Sequence, residues 1–169
     1  MSDWYQQSKF AGDLSMKSAP AATILVTVNP ESEKPAQKPI IFLVEQDAAV
    51  SRSIAMLLRR LPATVKIFAS AESVLEQLAR DDIVDCVITE MELPGISGLD
   101  LLTTMRRQGL RTPVIVLCAN SDVATAVAAM RAGADDFVEK PFLSRYFFDC
   151  VQRVLNRSHA AGVPHYQSI

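Results

Sequence analysis

Histidine is nearly missing from this chain: 169 residues contain only His159 and His165, both close to the C-terminal end. No nucleophile–base pairing with a recognisable signature is present, so a hydrolytic or other stand-alone enzyme is not expected. Cysteine is scarce too. Cys86, Cys118 and Cys150 are spaced neither as metal ligands nor as a paired disulfide framework, and Cys86 and Cys150 read as packing residues. No apolar stretch is long enough to span a bilayer, and the opening MSDWYQQSKF lacks the features of a secretory signal, so a cytoplasmic location is expected and a membrane partner is not. A basic run is also lacking. With 17 Lys and Arg against 19 Asp and Glu, the chain has no electrostatic footprint of a nucleic-acid binder, and nucleic acid is left out of the expected partners.

What the chain does have is apolar content, 49% of residues, enough for one compact domain with tails. Short β-rich runs alternate with segments of helical period. Residues 40–44, 64–68, 84–89, 113–118 and 136–138 predict five strands, and 122–133 and 144–158 are among the predicted helices. The expected fold is α/β: a doubly wound, five-stranded parallel sheet with helices on both faces. Ligands of such sheets bind beyond the carboxyl ends of the strands, where the strand order reverses. The expected organisation is an arm or linker over 1–38, a folded domain over 39–157 and a tail over 158–169. The arm is rich in Pro, Ala, Ser and Lys and reads as mostly flexible. Its stretch AATILVTV, residues 21–28, fits either a strand that pairs with a sheet edge or a collapsed segment. Trp4, Tyr5 and Phe10 read either as a partner-binding patch or as a frayed terminus.

Four stretches carry a family likeness: IIFLVEQD, VKIFASAESVLEQL, VDCVITEMELPGISGLDLL and TPVIVLCANSDVATAVAAMRAGADDFVEKPF. In order and spacing they resemble the receiver domain of two-component response regulators, the CheY-like fold, most closely its FixJ-like branch. The resemblance runs from about Pro39 to about Arg157. It implies a domain that takes a phosphoryl group from a histidine kinase onto an aspartate ending the third strand. Two acidic residues after the first strand help to hold Mg²⁺, a Thr or Ser ends the fourth strand, and a Lys follows the fifth. The carboxylate is the nucleophile, the hard cation offsets charge on the transferring group, and the Lys and hydroxyl bind phosphoryl oxygens. The short stretch after Arg157 leads us to expect no DNA-reading helix-turn-helix of the kind that often follows a FixJ-like receiver.

Matched position by position, the resemblance places Glu90 in the acceptor slot, Glu45 and Gln46 on the acidic pair with Asp47 just after, Cys118 on the hydroxyl and Lys140 on the lysine. Of these only Lys140 keeps the family's residue, and its bond to Pro141 is expected to be cis as in the family. Glu90 adds a methylene to the acceptor, and misplacement of a reacting atom by about 1 Å costs on the order of 100-fold in rate. Gln46 removes a charge, so no cofactor is expected beyond weak Mg²⁺ at Glu45 and Glu90. Cys118 offers only a weak donor. The longer Glu90 carboxylate is placed to reach Lys140 and partly imitate a phosphoryl–lysine contact. Phe137 matches the family's switch aromatic and fits an ordinary core position as well. Met91 and Glu92 flank the site.

The helix over 144–158 sets Phe147, Val151, Val154 and Leu155 on a core face and leaves Tyr146 and Phe148 as candidate interface aromatics. The resemblance makes the surface of the fourth helix, fifth strand and fifth helix the dimer or partner face. The expected function is a stand-alone atypical receiver, a pseudo-receiver acting by contact with a histidine kinase, another regulator or a second copy of itself. Two alternatives stand beside it: a phospho-acceptor that is Mg²⁺-dependent and of reduced activity or that uses Asp47, and a ligand- or redox-responsive module using the altered pocket and Cys118.

Overall fold

The computed structural model describes residues 38–80, 83–119 and 122–160. The stretch 21–28, the aromatic residues Trp4, Tyr5 and Phe10, and His165 lie outside the described residues. Strands and helices alternate throughout: β1 (Ile40–Val44), α1 (Ala48–Leu58), β2 (Thr64–Phe68), α2 (Ala71–Leu78), β3 (Cys86–Glu90), α3 (Gly98–Arg107), β4 (Val114–Cys118), α4 (Val123–Arg131), β5 (Asp136–Glu139) and α5 (Ser144–Ala160). All pairings are parallel and the sheet order is β2-β1-β3-β4-β5. The chain winds outward from β1 to β2, then returns to build β3, β4 and β5 on the other side. The reversal puts a crevice at the carboxyl ends of β1 and β3.

Side-chain alternation divides the core into two layers. Ile41, Leu43, Cys86 and Ile88 pack with Ile54 and Leu58 of α1 and with Phe147 and Val151 of α5. Phe42, Val44, Val87 and Val116 face the other way, against Val74 of α2, Leu101, Leu102 and Met105 of α3, and Ala129 of α4. Every residue of β3 and β4 is buried, because helices cover both faces of the central strands. Of the helices α4 is held least, with Ala129 its only buried residue.

Two strand starts differ from the sequence expectation for local reasons, and β3 and β5 each run one residue further, to Glu90 and Glu139. β3 starts at Cys86 because Asp85 is used as a cap: its carboxylate accepts from the Ile40 backbone N–H at 2.7 Å. β4 starts at Val114, since Pro113 has no N–H to donate and contributes only its carbonyl, to Val87 N at 2.9 Å. Helix starts follow the side-chain capping rule, with Asp47, Ser70, Ser97 and Asp122 as N-caps. Arg106 fastens the far end of the α3 layer. Its Nη1 donates to the carbonyls of Leu110 and Thr112, both at 2.9 Å, and its Nη2 to that of Gly133 at 2.8 Å.

Candidate functional site

β1 and β3 pair with Val44 opposite Thr89, so the residues that follow, Glu45 and Glu90, emerge side by side at the carboxyl edge. Both are buried, at 5% and 6% exposure, which is unusual for acids and calls for partners. Lys140 supplies them. It leaves β5 beside Cys118, whose carbonyl accepts its backbone N–H at 2.7 Å, and its peptide bond to Pro141 is cis. Its Nζ donates to Glu45 Oε2 at 3.0 Å and is in contact with Glu90 Oε2. The second contact is an ion pair without a well-directed hydrogen bond, as no donor is aligned on Glu90 Oε2.

The other oxygen of each acid goes to backbone. Glu45 Oε1 accepts from Asp47 N at 3.0 Å, and Glu90 Oε1 from Met91 N at 3.1 Å. One ammonium is thus shared by two buried carboxylates. Burial works against its charge, but the ion pair with Glu90 and the hydrogen bond and attraction from Glu45 outweigh that and hold the Lys140 pKa above its ordinary value.

The loop after β3 is fixed by residues that sequence reasoning passed over. A Cβ at position 98 would collide with the Glu90 carbonyl oxygen, so Gly98 is what allows α3 to start against the strand end. Glu72 of α2 accepts from Ile96 N at 3.0 Å and so ties down the PGIS turn. The paired glycines of PGISG were the available signal for the first. Nothing local marks Glu72, which meets Ile96 only through the fold.

The remaining candidates divide between the site and elsewhere. Gln46 is exposed and does not join the buried cluster. Asp47, grouped with the acidic pocket on sequence, caps α1 instead: its exposed carboxylate accepts from Ala49 N at 2.7 Å and Val50 N at 3.0 Å. The Val50 and Ala49 N–H groups lower its pKa. Met91 is buried and Glu92 exposed.

Cys118 ends β4 at 1% exposure, within the α2–α3–α4 core layer. Cys150 is buried and donates to Asp136 Oδ2 at 3.1 Å; burial and that carboxylate push its thiol up to about 12. Burial also pushes the Cys86 thiol up.

Phe137 is half-buried against the α2–α3–α4 layer and lines an open cleft of about 610 Å³ with Val123, Ala126, Phe142 and Tyr146. Tyr146 is 50% exposed there. Phe148 is corrected: it packs with the α1–α5 core layer, with the Arg60 guanidinium 5.4 Å from its ring centroid, and does not line the cleft. Its place on α5, one step beyond Phe147, turns it toward α1.

A parallel sheet with two acids and a lysine converging at its switch point is a specific arrangement, and the response regulator receiver domain family matches residues 41–152. The chain belongs to this family. Among its relatives, nodulation protein W of Bradyrhizobium diazoefficiens is 36% identical over 120 residues, covering 71% of this chain and 52% of that protein. The transcriptional regulatory protein FixJ of Azorhizobium caulinodans is 37% identical over 122 residues, covering 72% and 57%. The receiver thus spans about half the length of these curated relatives.

Solved structures agree. The crystal structure of FixJ-N superposes with a TM-score of 0.64 at 30% identity, covering 79% of this chain and 99% of that one. A response regulator receiver protein from Pseudoalteromonas atlantica gives 0.65 at 38% identity, covering 71% and 99%. The receiver is of the FixJ-like kind, a module of two-component signalling. No described helix is long and apolar enough to cross a membrane.

Magnesium, which the family implies, fits these residues poorly. The two carboxylates that would hold it each have one oxygen on backbone N–H and the other on Lys140, and Gln46, an amide, is turned outward.

Proposed function

We propose that this chain is an atypical, cytoplasmic receiver that signals by protein–protein contact and does not run a phosphorylation cycle at Glu90. The observation that carries the reading is the buried Glu90 carboxylate in the acceptor position, engaged by Lys140 and by Met91 N. Phosphorylation there would need the longer side chain to leave both partners and present an oxygen in line with the donor, at a site short of ligands for a divalent cation. The partner is a histidine kinase, another regulator or a second copy. The contact surface is the one formed by α4, β5 and α5. Five of the eight large apolar side chains exposed among the described residues lie there: Val123, Val127, Met130, Leu143 and Tyr146.

Asp47 is a poor substitute acceptor, because its carboxylate caps α1. A redox role for Cys118 is disfavoured by its 1% exposure, which keeps oxidants away.

The test is to incubate the full chain with Mg²⁺ and acetyl phosphate, and separately with beryllofluoride, following intact mass and the amide spectrum, with Glu90→Asp alongside. We expect no response from the native chain and a gained response from Glu90→Asp. A phosphorylated native protein would overturn the proposal.

A further inference from the structure

Charge in this fold is sorted along the strands, although the chain as a whole has a formal net charge of only −2. All strands are parallel, so each connecting helix starts at the carboxyl edge of the sheet and ends at the amino edge. Arginines gather at the amino edge. Arg106 ties the α3–β4 loop to the α4–β5 loop through the carbonyls of Leu110, Thr112 and Gly133. That tie brings together Arg107 at the end of α3, Arg111 in the α3–β4 loop and Arg131 at the end of α4. Burial lowers the Arg106 pKa and the charge of Arg111 adds to that, which marks the two as neighbours. Arg107, Arg111 and Arg131 are exposed, and none is in an ion pair with another described residue. The described acids of this edge are engaged already: Asp85 on Ile40 N, Asp135 on Val114 N and Arg106, and Asp136 on Arg153.

The opposite ends of the same elements carry acids. Glu92 follows β3, Asp122 caps α4 and Glu139 ends β5; all three are exposed, and Glu92 and Glu139 are in no ion pair with another described residue. Beneath them Glu45 and Glu90 share the single ammonium of Lys140. Helix ends soften this sorting, because each amino terminus carries about half a positive charge and each carboxyl terminus about half a negative one. They do not cancel it, since three exposed arginines stand at the ends of only two helices, α3 and α4.

We infer that a second copy of this chain docks head to tail on the first, with Arg107, Arg111 and Arg131 of one against Glu92, Asp122 and Glu139 of the next. The two patches lie at opposite ends of the half of the fold that runs from β3 to β5, so copies stacked along the strand direction bring them face to face. Guanidinium forks match carboxylates, and arginine sheds water at an interface more readily than lysine. Contact between unlike surfaces leaves one patch of each kind open, so the assembly grows past a dimer. A polyphosphate is the weaker occupant, because Asp85, Asp135 and Asp136 interrupt the broad basic field that it needs. The inference goes beyond the α4–β5–α5 surface and holds whether or not Glu90 accepts a phosphoryl group.

The experiment is sedimentation velocity of the full chain over a range of concentrations, at low salt and at about 0.3 M, where the screening length falls below about 8 Å. The expected result is species larger than a dimer that grow with concentration at low salt and vanish at high salt. Arg107→Gln with Arg131→Gln, and separately Glu92→Gln with Glu139→Gln, should each weaken this association by about tenfold. Mixed together, the two double variants should associate with each other, because one keeps the acidic patch and the other the basic one. Asp122 and Glu139 border the cleft that holds Tyr146, so Tyr146→Ala is the control that separates the two surfaces, and the salt-sensitive association should survive it.

All four glutamine positions are exposed, and an unchanged melting temperature establishes that each variant is folded. The inference is overturned if low salt gives nothing larger than a dimer, if growth past the dimer persists at high salt, if either double variant associates as the native chain does, if the mixed variants fail to pair, or if Tyr146→Ala abolishes the salt-sensitive association.

Discussion

Removing Lys140 shows what the ammonium does, because of what it leaves behind. Lys140→Met would strand two buried carboxylates that now share one cation. Breaking a buried pair costs about 3–5 kcal/mol. The lysine side chain is 21% exposed, so water partly compensates and a loss of about 2–3 kcal/mol is expected in urea unfolding at neutral pH. The pH dependence has a definite sign. The native pKa of Lys140 is raised, so its contribution is complete below the unfolded value of about 10.4 and is lost as pH rises through the native value. The stability difference between wild type and Lys140→Met should therefore shrink at alkaline pH.

Sequence reading reached Glu90, Cys118 and Lys140 because each follows or ends a strand, where an apolar run fixes its position. At Gln46 and Asp47 the direction of the side chain depends on how the chain turns into α1, which residue type alone does not give. A free N–H of the first helical turn claimed Asp47, and propensity alone does not say which acid of a cluster will cap.

At the scale of elements, strands were legible and faces less so. β1 and β2 lie where the hydrophobic runs predict them. The displaced starts of β3 and β4 trace to Asp85 and Pro113, one a side-chain competitor for a ladder N–H and the other lacking a donor. Phe148 was misplaced for a different reason. A half-buried aromatic beside a core stripe goes to either flank, and only the approach of α1, with Arg60, decides which.

The Arg106 clamp was equally invisible, since its acceptors are backbone carbonyls brought together by two separate loops, α3–β4 and α4–β5. Arg106→Ala leaves the carbonyls of Leu110, Thr112 and Gly133 without this donor. A loss of about 2 kcal/mol is expected by thermal or urea unfolding. On α4 the expectation is the reverse. Val127→Asp and Tyr146→Ala touch exposed positions, so the melting temperature should change little. If α4, β5 and α5 form the contact surface, association measured by sedimentation should weaken severalfold in both. Unchanged association would move the contact elsewhere.

Over the whole molecule, burial is graded from the sheet centre outward. β3 and β4 are buried at every residue and β1 at all but its first, whereas β2 has no buried residue and α4 has one. Native-state hydrogen exchange should follow that gradient, with β1, β3 and β4 amides exchanging only through global unfolding and α4 amides through local opening. Protection in α4 equal to that in β3 would contradict it. The thin attachment of α4 also separates two kinds of selection. With Ala129 alone anchored in the core, folding places almost no demand on the outward positions of the helix. If α4 is part of the contact surface, substitutions at Val123, Val127 and Met130 are free to follow the chemistry of a changing partner, and a receiver built this way can exchange one binding specificity for another while its sheet stays the same.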